Sequence, residues 1–439
     1  MKKIISILLI CTLLFSTACI DKKSNGNSGE STIKSDGINI TSDGETTTSN
    51  GEDTSDKNYT KLNIDDFSFE NLEQSNLKFL KINAKKFPFD VEFLKSENLP
   101  QDIIDDHLTM STGTIIVPTE NEVFYFILDS SPMGQFGTKR YRIVSVDNKT
   151  GEEKQLFMSD TEHKRDIYSA VIFNGELFWS EAQYYDTYED IRWKINKIKL
   201  NGEATEIDNG ATSISLATKE TSQSFLIPVL SANDKGVYWI ETHSAIETAD
   251  AKFDIVCYNT EKRTVVRDIV CNSPYARIQV SANNFLYLKK NEKDNTGIIV
   301  NTNGEEFETG VDCKLISAYD WNDKYIIFEK LPEPSYYVRQ ELYIYDRATK
   351  ITKILPYSPY NVSSVGLIGN YIYMNIAYLN GKENPERLGF SLLDLKNSTI
   401  FSISNSQNFV HKSYNGSVSK NKNGDFYYRT DTEIVMVNP

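Results

Sequence analysis

Between Asn121 and Asp431 the chain repeats one short pattern seven times: a turn residue, an apolar and aromatic strand, then a second strand that ends in a polar turn. The aromatic strands are Val123-Phe124-Tyr125, Leu177-Phe178-Trp179, Val237-Tyr238-Trp239, Leu286-Tyr287-Leu288, Ile326-Ile327-Phe328, Ile372-Tyr373-Met374 and Phe426-Tyr427-Tyr428. Their starts lie 54, 60, 49, 40, 46 and 54 residues apart, a mean of about fifty. An all-strand repeat of that length predicts a β-propeller with one four-stranded sheet, or blade, per repeat. A single blade buries too little surface to stand alone, so the repeats have to stack. The expected fold is therefore all-β: a seven-bladed β-propeller of four-stranded antiparallel blades, spanning about residues 112–439.

Each repeat has the same grammar. An inner strand such as Thr114–Val117 leads to the aromatic strand, and a third strand such as Tyr141–Val146 follows. Asp147 to Gly151, Asn201-Gly202 and Asn303-Gly304 are hairpin signals, because Gly and Asn accept positive φ. The last repeat stops after its third strand, at Glu433–Val437. That leaves an open edge, a liability for aggregation. Residues 77–82, Leu77 to Ile82, alternate as a strand does and are predicted to close the last blade. Residues 84–109 are expected along the edge of the ring, with one helical turn at Gln101–Asp106.

The N-terminus reads differently. Met1-Lys2-Lys3 is a positive start, and Ile4–Phe15 is an apolar run. Twelve helical residues span about 18 Å, too short for a hydrocarbon core of about 30 Å, so the run reads as a signal peptide over residues 1–18. The ending Ser16-Thr17-Ala18-Cys19 resembles the lipobox of bacterial lipoproteins. The resemblance implies thioether lipidation of Cys19, palmitate among its acyl chains, and cleavage before it. It places the protein on the extracytoplasmic face of a bacterial cell membrane. Residues 19–60 read as the anchor cysteine and a disordered tether. Ser, Thr, Gly and Asn fill 24 of the positions 20–60, too polar a composition to offset ordering entropy. Residues 61–439 remain for the folded domain.

Lys and Arg number 47 against 61 Asp and Glu, and losing residues 1–18 removes two lysines, which leaves the mature chain near −16. A nucleic-acid partner needs a basic footprint, and the sequence shows none. The membrane partner is expected through the N-terminal lipid alone. Cys257, Cys271 and Cys313 are odd in number and form no CxxC pair; a Cys271–Cys313 disulfide would need a Cα separation of about 4.4–6.8 Å, which equivalent positions of neighbouring blades usually exceed, so free thiols are expected. His107, His163, His243 and His411 lie far apart, with no i, i+4 metal pair. There is no GxSxG elbow, GxGxxG or Walker-type loop. No cofactor, no metal and no catalytic residue is assigned, and a monomer is expected.

Gly175-Glu176-Leu177-Phe178-Trp179 and Gly236-Val237-Tyr238-Trp239 resemble secreted bacterial propellers with TolB-type and YWTD-type repeats. These are packing motifs, and the resemblance implies fold rather than task. Function is sought instead in the connections between second and third strands, long at Asp129–Arg140, Ala182–Arg192, Thr242–Lys252, Lys330–Gln340 and Tyr378–Leu388. Long loops on a rigid scaffold are where binding residues concentrate. They carry Phe136, Tyr184, Tyr185, Asp186, Tyr188, Asp190, Tyr336, Tyr337, Arg339 and Arg387 as candidate binding residues. Aromatics beside carboxylates and arginines suit a protein or glycan partner; these same aromatics can equally fold back onto their own blades. The competing expectation is a carbohydrate-active hydrolase or lyase that uses Asp186, Asp190 or Asp320, since such chemistry needs a pair of acids across a cleft.

Overall fold

The computed structural model describes residues 59–97 and, with gaps, 111–438; the gaps include 130–137, 186–190, 243–251, 332–340, 379–388 and 403–418. The folded unit begins at Tyr59, two residues ahead of the boundary expected from composition. Among the described residues no helix is long and apolar enough to cross a membrane.

The described strands form seven sheets, taken up one after another along the chain, each with four antiparallel strands at its heart. Sheet 1 uses Ile115–Pro118, Glu122–Asp129, Arg140–Asp147 and Glu153–Met158. Sheet 2 uses Lys164–Phe173, Glu176–Tyr184, Ile191–Lys199 and Ala204–Ala211. Sheets 3, 4, 5 and 6 repeat the order with second strands Val237–Thr242, Phe285–Lys290, Tyr325–Lys330 and Tyr371–Tyr378. Sheet 7 holds Ser419–Lys420, Phe426–Arg429 and Glu433–Asn438. This is propeller-type organisation.

The aromatic strands are central in their sheets and most of their described side chains are buried, which is why they read as near-continuous apolar runs. Their alternate residues enter different cores. Leu177 and Trp179 pack toward sheet 1, whereas Phe178 packs toward sheet 3. Val237 and Trp239 pack toward sheet 2, and Tyr238 joins the core shared with sheets 4 and 5. Tyr427, Ile434 and Met436 of sheet 7 share a core with Val123, Tyr125 and Ile127 of sheet 1, and the Tyr427 hydroxyl donates to the Ile116 carbonyl at 2.5 Å. Gly236 is needed for close approach: a Cβ there would lie 2.7 Å from the Tyr258 carbonyl oxygen.

The turns explain the repeat spacing. Asp147, Asp346 and Asp394 each end a third strand and accept two backbone N–H groups of the following turn at 2.7–3.2 Å. Such Asx turns fix the hairpins locally. Gly151 and Gly304 supply the positive φ (70° and 78°) expected of them.

The segment before sheet 1 does more than the sequence indicated. Lys78–Asn83 pairs antiparallel with Glu433–Asn438, from Lys78 opposite Asn438 to Asn83 opposite Glu433. Two further strands precede it. Tyr59–Lys61 adds in parallel to the outer strand of sheet 5, Ile351–Pro356, and Ser68–Asn71 adds in parallel to the outer strand of sheet 6, Thr399–Ser402. Between them Ile64, Phe67 and Leu72 turn inward into the cores of sheets 5, 6 and 7. A short helix, Val91–Ser96, then packs on sheet 1 with Leu94 buried. Residues 59–97 therefore form a belt over sheets 5, 6, 7 and 1 in turn. The outer strands of sheets 5 and 6 carry Ile351, Ile354, Ile400 and Phe401, and an open edge with apolar side chains is a liability that the belt strands cover. The helical turn expected at Gln101–Asp106 lies outside the described residues; the described helix sits at Val91–Ser96, capped by Asp90.

Candidate functional site

Five second strands end, and five third strands begin, where the long connections were expected: Asp129 and Arg140, Tyr184 and Ile191, Thr242 and Lys252, Lys330 and Glu341, Tyr378 and Gly389. Cys19 and eight of the ten candidate binding residues, Phe136, Asp186, Tyr188, Asp190, Tyr336, Tyr337, Arg339 and Arg387, lie outside the described residues. Tyr184 and Tyr185 are described, and they differ. Tyr184 is the last residue of its strand and is buried; its hydroxyl donates to Asp166 Oδ2 at 2.7 Å, and it packs with Ala182 and Ile191. It belongs to the sheet. Tyr185 is half-buried, with the His163 ring centroid 4.0 Å from its own and the Arg192 guanidinium 4.3 Å from its ring. The Tyr185 hydroxyl donates to Gln183 Oε1 at 3.4 Å.

Beneath Tyr185 lies a buried polar network that spans sheets 1 and 2. Glu181, with 3 % of its side chain exposed, accepts from the Tyr141 hydroxyl at 2.5 Å and from Gln183 Nε2 at 2.7 Å. Trp179 Nε1 donates to the same Tyr141 oxygen at 2.7 Å. Arg165, equally buried, meets Glu181 at 3.4 Å, donates from Nε to the His163 carbonyl at 3.3 Å and pairs with Asp160. Burial and the neighbouring Glu181 charge push the Tyr141 hydroxyl well above its ordinary pKa, so it remains a donor. Burial pulls the Asp160 carboxyl upward, but the Glu162 amide and Arg165 outweigh it and hold it low.

At the same end of sheet 1, Asp129 takes Arg140 Nε at 2.8 Å and Arg142 at 3.3 Å. Arg140 also reaches Asp90 at 2.9 Å and lies 3.9 Å from the Phe93 ring centroid. The Phe93 amide and Arg140 hold the Asp90 carboxyl below its ordinary value. The short helix thus rests on this end of sheet 1. The two sheets are joined here by a pair of backbone hydrogen bonds, Thr138 N to Arg165 O at 2.9 Å and Arg165 N to Thr138 O at 2.8 Å.

Asp166 and Glu181 of sheet 2 do not make a catalytic pair. Asp166 stands opposite Ala182 and Ile167 opposite Glu181. Successive strand residues point to opposite faces, so Glu181 faces sheet 1 with Trp179, and Asp166 faces the other way with Tyr184. A hydrolase pair has to converge on one bond from two sides of a cleft. Asp320, the inner-strand acid, is buried and spends its two oxygens on the Trp321 and Leu367 amides, at 2.9 and 2.8 Å. It ties sheet 5 to sheet 6. Among the described residues no group of three or more His, Cys, Asp or Glu could hold a metal. Cys257 is a free thiol.

Arg165, Glu181, Gln183 and Tyr141 were missed by the sequence reading, and one signal was there. Trp179-Ser180-Glu181 and Trp239-Ile240-Glu241 place an acid two residues after a buried strand tryptophan, hence on the same face. In sheet 3 this acid, Glu241, takes Trp239 Nε1 at 3.0 Å and Arg263 at 2.7 Å. A buried acid in that position requires partners.

Asp166 offers a pH test. Burial raises its carboxyl above the ordinary 3.8, and the Tyr184 hydroxyl offsets this only in part. A folded-state value above the unfolded one means stability present at low pH and lost as pH rises through the folded value. Asp166→Asn keeps an acceptor for Tyr184 and removes the charge. In urea unfolding it is expected to exceed the parent in midpoint at neutral pH, with the difference vanishing as pH falls to the ordinary value. A gap independent of pH would show that ionisation is not its cause.

No family model and no curated protein matches the chain. Solved structures do. The β-propeller domain of the trilobed protease from Pyrococcus furiosus aligns at 12% identity and a TM-score of 0.46, over 74% of this chain and 92% of that one. The uncomplexed acylaminoacyl peptidase of Pyrococcus horikoshii aligns at 12% and 0.43, over 74% of this chain and 50% of that one. The chain thus spans about half the length of those peptidases. Polysaccharide lyase Uly1 aligns at 9% and 0.38, over 82% and 99%. All three likenesses are loose.

Proposed function

We propose that this chain is a lipid-anchored, extracytoplasmic seven-bladed β-propeller that binds a protein or glycan partner on the face from which its long connections leave. The seven sheets form one ring, locked where Lys78–Asn83 completes the sheet that begins near the C-terminus. The lipid on Cys19 holds it to a bacterial cell membrane, and the tether presents the ring. The observation that carries the binding reading is Tyr185. It stands half-exposed at the root of residues 186–190, braced by His163 and Arg192 over the Glu181 network. A braced aromatic at a loop root suits recognition. The buried acids nearby are consumed by structural partners, so the hydrolase or lyase alternative has to draw on Asp186 and Asp190.

The test is capture of partners from native membranes by the full-length protein and by a Tyr185→Ala, Tyr188→Ala, Tyr337→Ala variant. A specific partner, protein or glycan, lost in the variant supports the reading. Equal capture by both removes this face as the binding surface. Glycan turnover abolished by Asp186→Asn or Asp190→Asn would favour the enzyme. The same preparation tests the anchor: Cys19→Ser is expected to release the protein or leave it unprocessed, and a mature N-terminus elsewhere, without lipid, refutes it.

A further inference from the structure

We propose that Arg165 is a positioning residue that couples the roots of the first two long connections, so that the binding surface on sheets 1 and 2 behaves as one unit. The inference rests on the binding role proposed above but is read without any partner. Sheet 1 releases its connection at Asp129 and recovers it at Thr138 and Arg140. There the Thr138 hydroxyl donates to the Asp129 carbonyl at 2.5 Å, and it lies 2.9 Å from the Arg140 carbonyl oxygen. Sheet 2 releases its connection at Tyr185 and recovers it at Ile191 and Arg192. Arg165 stands between these roots and touches both. Its backbone exchanges two hydrogen bonds with Thr138, an isolated bridge between two sheets.

Its side chain reaches the second root by two routes. Nε holds the His163 carbonyl, and the His163 ring lies against Tyr185. Nη1 holds Glu181, which holds Gln183, whose amide oxygen accepts from Tyr185. The third contact, to Asp160, ties down the segment that leads into the strand. A planar guanidinium can satisfy such divergent acceptors at once, and a lysine ammonium cannot reproduce that fork. With both Arg165 and Glu181 buried, neither group can trade its partner for water, which makes the arrangement rigid.

Removing Arg165 alone would strand the Glu181 charge and risks unfolding. The informative variant is therefore the full-length double change Arg165→Met, Glu181→Gln, which removes both charges and keeps an acceptor for Tyr141. Two readouts follow: amide hydrogen exchange at Thr138–Arg140 and at Gln183–Tyr185, and the ring-proton shifts of His163, which feel the Tyr185 ring. Exchange is expected to quicken about tenfold or more at both roots together, with the His163 shifts moving toward solvent values. Ile326–Phe328 of sheet 5 should be unchanged. The matched control, Arg263→Met with Glu241→Gln in sheet 3, should move neither root. A response at one root only, at neither, or equally in sheet 5, overturns the coupling. Because capture by the triple tyrosine variant is scored separately, loss of capture with uncoupled roots leaves the binding role standing. Coupled roots with unchanged capture leave the coupling standing and remove the binding role.

Discussion

Deletion of residues 1–83 is expected to abolish soluble monomer, whereas deletion of 20–58 leaves the urea midpoint of the domain where it was. The longer deletion removes the strand opposite Glu433–Asn438 and both belt strands. It also removes Ile64, Phe67 and Leu72 from the cores of sheets 5, 6 and 7, each 8 % exposed or less. Burying an apolar side chain of this size stabilises by about 1.5–3 kcal/mol. Three of them, with the Lys78–Asn83 ladder, approach the net stability of an ordinary domain, about 5–15 kcal/mol. The deletion also bares the apolar edges of sheets 5 and 6, so the product should aggregate rather than merely unfold. Size-exclusion chromatography and urea unfolding separate the outcomes. If both deletions behave alike, the belt stabilises nothing.

Tyr141→Phe is the point change with the largest expected effect. It deletes one oxygen and leaves two buried groups short of a partner: Glu181 loses its 2.5 Å donor and Trp179 Nε1 loses its acceptor. An unsatisfied buried polar group costs about 1–3 kcal/mol, more when charged, so the loss should be about 2–5 kcal/mol in urea unfolding at constant m-value. Tyr427→Phe removes a hydroxyl that donates to the neutral Ile116 carbonyl, and is expected to cost clearly less. A Tyr141→Phe loss no greater than that of Tyr427→Phe would show that the network is not held by this hydroxyl.

The sheets were legible because their signals are local. Strands such as Leu177-Phe178-Trp179 are apolar throughout, since both faces are buried, and the Asx residues Asp147 and Asp346 punctuate them at hairpin distance. The pairing of Leu77 to Ile82 with the last strand could be anticipated because an unfinished sheet at the C-terminus demanded it. The belt strands Tyr59–Lys61 and Ser68–Asn71 were not legible. They are three and four residues long, nearly all exposed or half-exposed, and their reason lies in the outer strands hundreds of residues away. At the candidate site, Tyr184 and Tyr185 are adjacent and chemically identical. Strand alternation sends one inward to Asp166, while the chain leaves the strand at the other; composition cannot tell them apart. Arg165 and Glu181 escaped notice because a buried ion pair leaves no periodic trace, apart from the Trp-x-Glu spacing seen twice.

The belt also dictates when the molecule can be finished. Tyr59 has its place beside Thr352, Ser68 beside Thr399, and Lys78 beside Asn438. A chain made from its N-terminus offers these segments first and their partners last. Sheets 1 to 4 can assemble as they appear, from contacts close in sequence, but the belt has nothing to join until the final strand arrives. Folding therefore ends in one late event of very high contact order, slow by its topology. Until then the apolar outer strands of sheets 5 and 6 stand open, and this is the interval in which the chain is most exposed to aggregation and proteolysis.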